Sequence, residues 1–251
     1  MKKDLIINNI NVYHTYPDAS EQHDEKHPGL IVIEEIWGVN AHIREVADRF
    51  AHAGFTVLAP EILPKGTLDV LTPEMQNDLF DPEKRDALQP KIREAMAPTM
   101  QSEYAGNAIT QLKACVDYLL ADPHVNGRVA VLGFCFGGTY SFQLAAHDSR
   151  IKAAVPLYGH PPAEEQIKNI SCPVFALYGE QDTRLMETLP KLKEDMQKNG
   201  KSFEVIVYPN VGHAFFNDTN FRTYNKEAAE DAWEKIIAFL KKNLKDNSVS
   251  E

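Results

Sequence analysis

Six residues, Gly133-Phe-Cys135-Phe-Gly137-Gly138, constrain this chain more than any other stretch. The apolar run Arg128-Val-Ala-Val-Leu132 precedes them, and a helix-like pattern, Thr139 to Ala146, follows. A strand must therefore turn sharply into a helix. A side chain at the tip of such a turn occupies strained backbone. Gly133 and Gly137, lacking Cβ atoms, let strand and helix converge around it. Cys135 then stands at a helix N-terminus, whose partial positive charge favours thiolate. The spacing is that of the G-x-S-x-G nucleophile turn with cysteine in the serine place. It matches neither G-x-x-x-x-G-K-[ST] nor G-x-G-x-x-G. Taken alone, Cys135 also reads as a small buried hydrophobe, so partners are needed elsewhere in the chain.

The order of apolar runs supplies the frame. Residues 5–16 read as one or two strands, and Asp18 to Pro28 as a polar loop. Gly29 to Ile33 is a short apolar run suited to a strand buried on both faces, and it ends in the turn Glu34-Glu35-Ile36-Trp37-Gly38. Ile43, Val46, Ala47, Phe50 and Ala51 repeat with helical period, and Gly54 is placed to stop the helix. Strand 55–59 follows. Residues 60–102 are rich in proline and acids without a sustained period, which predicts an irregular lid-like excursion with short helical pieces. Leu112, Cys115, Val116 and Leu119 return to helical spacing, so Cys115 belongs to the core. Runs at 153–158, 173–179 and 203–208 predict further strands, and 185–199 a helix closed by Gly200. Trp233, Ile236, Ile237 and Leu240 mark a last helix before a charged tail. Alternating strands and helices predict an α/β fold in a single domain over 1–251, a mostly parallel sheet with helices on both faces. Sites in such sheets form beyond the carboxyl ends of the strands.

Two residues after those ends complete a constellation. Asp182 follows strand 173–179, and His213 follows strand 203–208. The chain order Cys135, Asp182, His213 is nucleophile, acid, base, as in α/β-hydrolases. A free thiol is mostly protonated at neutral pH, so a base must hold its proton and later return one to the leaving group. An acid fixes the imidazole tautomer and stabilises the imidazolium. Among the remaining histidines only His160 also follows a strand, and it lies upstream of Asp182.

The chain resembles the dienelactone hydrolase (carboxymethylenebutenolidase) family. The resemblance spans nearly the whole chain and is carried by Glu34-Glu35-Ile36-Trp37-Gly38-Val39-Asn40, Arg44, the run Ala47 to Pro60, the cysteine turn, Tyr158-Gly159, Asp182 and Gly212-His213-Ala-Phe215. It implies the α/β-hydrolase fold and no cofactor or metal. It also implies that Glu35, rather than Glu34, is the resting partner of the Cys135 thiol, displaced when substrate binds. It places the oxyanion hole on the backbone N–H groups of Ile36 and Phe136, in agreement with the general geometry of such sites. Trp37 is a candidate substrate contact. Relatives that act on dienelactone clasp its carboxylate with two arginines. At the position of one of them, four residues after the histidine, this chain has the neutral Asn217, with Arg222 as a candidate substitute; for the other, which comes from the excursion, Arg85 and Arg93 are the candidates.

Composition sets the remaining bounds. A formal net charge of -10 argues against nucleic acid and anionic membranes as partners. No apolar run approaches a membrane span, and no signal segment opens the chain. Cys115, Cys135 and Cys172 form no metal-like pair, so a cytoplasmic protein, monomer or homodimer, is expected. The thiol narrows the chemistry. Thiolate is itself a good leaving group, so an amide amine or simple alkoxide loses the competition, whereas an enol ester or lactone releases a stabilised enolate. A small-molecule activated ester or lactone is therefore the expected substrate. A broader carboxylesterase or thioesterase, a non-catalytic binding member of the fold, and a redox role for Cys135 remain open at this level.

Overall fold

The computed structural model describes residues 1–17, 26–72 and 74–245. Of the polar loop expected at 18–28, residues 18–25 lie outside these, as does the tail beyond 245; the end of that loop, His27 and Pro28, belongs to a strand instead. Eight strands form one sheet: β1 (Lys2–Ile7), β2 (Ile10–Thr15), β3 (His27–Ile33), β4 (Thr56–Pro60), β5 (Val125–Phe134), β6 (Ile151–Leu157), β7 (Val174–Gly179) and β8 (Phe203–Tyr208). Their order is β1-β2-β4-β3-β5-β6-β7-β8. The first two strands pair antiparallel, and β3 to β8 run parallel. This is the expected α/β architecture. The segment 5–16 splits into β1 and β2 at Asn8-Asn9, which hold φ at 47° and 64°. Two consecutive positive φ values are what a tight hairpin turn demands, and asparagine tolerates them.

The helices follow from burial patterns. In α1 (Ala41–His52), Ile43, Val46, Ala47 and Phe50 are buried, and the Asn40 side chain caps the first turn by accepting from Ile43 N at 3.1 Å. After β3 the chain crosses through α1 to β4 on one side of β3. It then returns through α5 (Ser102–Ala121) to β5 on the other side. Right-handed crossovers in opposite directions put these helices on opposite faces. The reversal also opens a crevice at the carboxyl ends of β3 and β5. The helix α9 (Lys226–Leu244) meets α1 through Phe50 and Trp233, whose rings are 4.6 Å apart.

The excursion is more helical than its composition suggested. It holds α2 (Thr67–Val70), α3 (Met75–Leu79), the three-turn α4 (Arg85–Met96) and a 3-10 turn, Ala97–Met100. The remaining helices are α6 (Phe136–His147), α7 (Glu164–Ile167) and α8 (Thr183–Lys198). No helix of the described residues is long and apolar enough to cross a membrane.

The turn between β5 and α6 takes the strained form that its glycines anticipate. Cys135 has φ 54° and ψ -109°. A Cβ on Gly133 would sit 2.2 Å from the Gly137 carbonyl oxygen, and one on Gly137 would sit 2.3 Å from the Ile33 oxygen. Gly133→Ala is expected to destabilise the protein by at least about 3 kcal/mol, the upper range for overpacking. Gly106→Ala in α5, where a Cβ meets nothing within 4 Å, should instead gain up to about 1 kcal/mol from helix propensity. Denaturant midpoints of the two variants check both signs.

Candidate active site

The carboxyl ends of β3, β5, β6, β7 and β8 bring the expected residues together. Cys135 follows β5 and occupies the N-cap position of α6, with its backbone N–H held by the Leu157 carbonyl at 3.0 Å. Asp182 begins α8 after β7, and His213 lies on the loop after β8. His213 Nδ1 and Asp182 Oδ2 are 2.5 Å apart, which leaves Nε2 for Cys135, the other side chain with which the imidazole hydrogen-bonds. Burial opposes a charged imidazole here. The charge on Cys135, the Asp182 hydrogen bond and the Cys135 hydrogen bond outweigh it, and the His213 pKa is pushed from 6.5 up to about 10.

The two neighbouring acids have different surroundings. Glu35 is 3% exposed, and its Oε2 accepts from Asn217 Nδ2 at 2.7 Å. Asn217 also donates to Gln76 Oε1 at 3.2 Å, and its own oxygen accepts from Thr219 N and Oγ1. Gln76 of α3 donates in turn to Thr219 Oγ1 at 2.7 Å. Glu34 is wholly buried and points toward the start of the excursion, where its Oε1 accepts from Ile62 N at 2.7 Å and Leu63 N at 2.9 Å. Burial raises its pKa to about 8, although these two donors and the Val39 N–H pull the other way. Glu34 therefore stays protonated at neutral pH and ties β3 to the excursion.

Tyr158, at the end of β6, was without a role in the sequence. It is 1% exposed and holds φ at 36°. Burial, then the charges of Glu35 and Cys135 and a hydrogen bond with Glu35, push its pKa well above the usual value, so the phenol keeps its proton beside both groups. Ala214, next to His213, is also at positive φ, 59°. Strained backbone gathers at functional sites, but β-strand runs and helical spacing carry no trace of it.

Cys135, Phe136, Tyr158, His160 and His213 open onto a cleft of about 770 Å³. His160 lines it but is not the Asp182-bound histidine; burial, with the nearby charges of His213 and Arg184, lowers its pKa against the pull of Asp182. The expected substrate contacts do not reach this cleft. Trp37 is 5% exposed and Asn217 is 1% exposed, both buried away from its wall. Asn217 spends its amide on Glu35 instead. Arg85 and Arg93 lie on α4, outside the lining, and Arg222 pairs with Asp81 at 2.5 Å. Among the described residues of the excursion, Thr99, Met100 and Ser102 at its end form cleft wall. Among the described residues no group of three or more His, Cys, Asp and Glu side chains is arranged to hold a metal ion.

A mostly parallel eight-stranded sheet with a cysteine on the strand-to-helix turn and an Asp–His pair after its last two strands defines an α/β-hydrolase-fold protein. The sequence profile of the dienelactone hydrolase family matches residues 10–244, and the chain belongs to that family and so to the carboxylic ester hydrolases. A Saccharolobus solfataricus protein named "Putative carboxymethylenebutenolidase" is 32% identical over 233 residues, covering 85% of this chain and 88% of that one. "Protein usf" of Aquifex pyrophilus is also 32% identical, over 86% and 89%. The crystal structure of dienelactone hydrolase from Anabaena variabilis shares the fold with a TM-score of 0.66 at 16% identity, over 98% of each chain.

With a raised imidazole pKa, the stabilisation from the charged His213 is fully present below about pH 6.5 and is lost as pH climbs through about 10. Asp182→Asn should move the His213 titration down toward 6.5, as followed by the imidazole proton shifts in NMR. An unmoved midpoint would show that Asp182 does not hold the proton.

Proposed function

We propose that the protein hydrolyses activated carboxylic esters, enol lactones among them, through an acyl-thioester on Cys135. The observation that carries this reading is the His213–Asp182 hydrogen bond at the cleft beside Cys135. Cys135 attacks the carbonyl as thiolate, its proton held by His213. The N–H groups of Ile36 and Phe136 receive the developing oxyanion. Phe136 is the first residue of α6, so its N–H has no acceptor within the helix. His213 returns its proton to the leaving enolate, and the same histidine then activates the water that cleaves the thioester. Asp182 holds the imidazole in the required tautomer. Glu35, fixed by Asn217, faces the site from β3 as an acid that favours keeping the thiol proton near Cys135 until substrate is bound. Free thiols at Cys115, Cys135 and Cys172 support a reducing compartment such as the cytoplasm.

Cys135→Ala is expected to abolish hydrolysis of an aryl ester with unchanged thermal unfolding. His213→Ala and Asp182→Asn should each cost at least about two orders of magnitude in kcat, and His160→Ala much less. Mass spectrometry of the quenched wild-type enzyme should find one acyl group on the Cys135 peptide. Full turnover by Cys135→Ala, or a dead His160→Ala beside an active His213→Ala, would overturn the assignment.

A further inference from the structure

We propose that the cleft is a groove for a long, uncharged, apolar arm of the ester, running the length of α6; this rests on the reading of Cys135 as nucleophile. The floor is one face of α6. Phe136, Thr139, Tyr140, Gln143 and His147 line it, spaced as neighbours on a single helical face. At 1.5 Å per residue, the path from Cys135 to His147 is about 18 Å, far longer than a compact lactone needs. One helical turn before His147, the paired amides of Gln143 and Gln166, which exchange hydrogen bonds at 2.8 and 3.2 Å, belong to the lining.

The opposite wall is the first turns of α5, and there all the side chains but Ile109 are small. Ser102, Ala105, Gly106 and Ile109 face the cleft, again at helical spacing. A Cβ on Gly106 would meet nothing within 4 Å, so the absent side chain leaves groove rather than packing. Helix interiors disfavour glycine, and here the gap it leaves is open cleft.

Charge fixes the chemistry of the arm. The lining holds no lysine, arginine, aspartate or glutamate among the described residues, and burial keeps His160 toward its neutral form. The His213 imidazolium lies at the Cys135 end and is already paired with Asp182 and Cys135, so a carboxylate farther along the groove would lose water without gaining a cation. An apolar arm loses only unfavourable contact with water, and each buried methylene raises kcat/KM by up to about fourfold.

The test uses the purified full chain and two ester series. One lengthens the acyl group from acetyl to dodecanoyl on a constant nitrophenol. The other keeps acetyl and lengthens a para-alkyl arm on the phenol. One series should gain at least about tenfold in kcat/KM with length, and the responding series tells which side of the carbonyl occupies the groove. A terminal carboxylate on the same arm should erase the gain. Gly106→Trp, and Gly106→Leu as a second filler, should reduce long esters to the acetate level while leaving nitrophenyl acetate within about twofold of wild type. Flat series in an enzyme that hydrolyses acetate, or a length preference that survives both fillers, would overturn the groove and spare the nucleophile. Failure of wild type on every ester, with no acyl group on Cys135, would overturn both.

Discussion

The contact on which the rest depends is backbone against backbone: the first turn of α6 lies directly on the end of β3. Gly137 sits where any Cβ would strike the carbonyls of Ile33 and Glu34. That approach sets Cys135 and the Phe136 N–H at a fixed separation from Glu35 and the Ile36 N–H, which leave β3 at the same level. On the reading proposed above, the two donors of the oxyanion pocket follow different strands, and the parallel pairing of β3 with β5, with Ile33 opposite Gly133, keeps them in register. Backbone donors avoid the rotamer freedom that side-chain donors must lose, and stay oriented before charge develops.

Around this contact the acids are sorted by their partners. Glu35 has an amide donor, Asn217, where a cation would draw the carboxylate toward itself by charge. An amide bonds without net charge, so Glu35 is positioned by geometry and its electrostatic influence is left to act on Tyr158. Glu34, one residue earlier and on the other face of the strand end, is neutral and structural. Alternation along an extended backbone is what allows neighbouring glutamates to do unlike things.

Much of this was legible in the chain, and the unread parts have physical causes. The glycine-flanked Cys135 turn, the strand-end placement of Asp182 and His213, and the strand order class follow from steric rules and periodicity, which act within a few residues. Asn217 was marked for its position four residues after His213, but its partner could not be read, because the Glu35 contact joins residues 182 apart. Gln76 gave no signal at all, since the excursion lacks the periodicity that assigns faces. Glu34 was set aside as the thiol's partner without a role of its own, because two adjacent glutamates at a strand end give no hint of where each side chain goes. Arg85, Arg93 and Arg222 were natural candidates for an anion clamp by charge alone, and charge alone does not say which way a helix such as α4 is turned.

The distance in sequence between Cys135 and His213 has a consequence in time. A chain is made from its N-terminus and folds by units as it emerges. Strands β1 to β6 can assemble around the cysteine turn before β7 and β8 exist. At that stage the nascent protein carries a thiol at a helix N-terminus with neither Asp182 nor His213 beside it. The histidine arrives only when β8 adds to the sheet edge and the following loop docks Asn217 and Thr219 against Gln76 and Glu35. On the proposed reading of Cys135 as nucleophile, the thiol therefore meets its base only when the last strand is in place, and an unfinished chain is spared the most reactive form of its own cysteine.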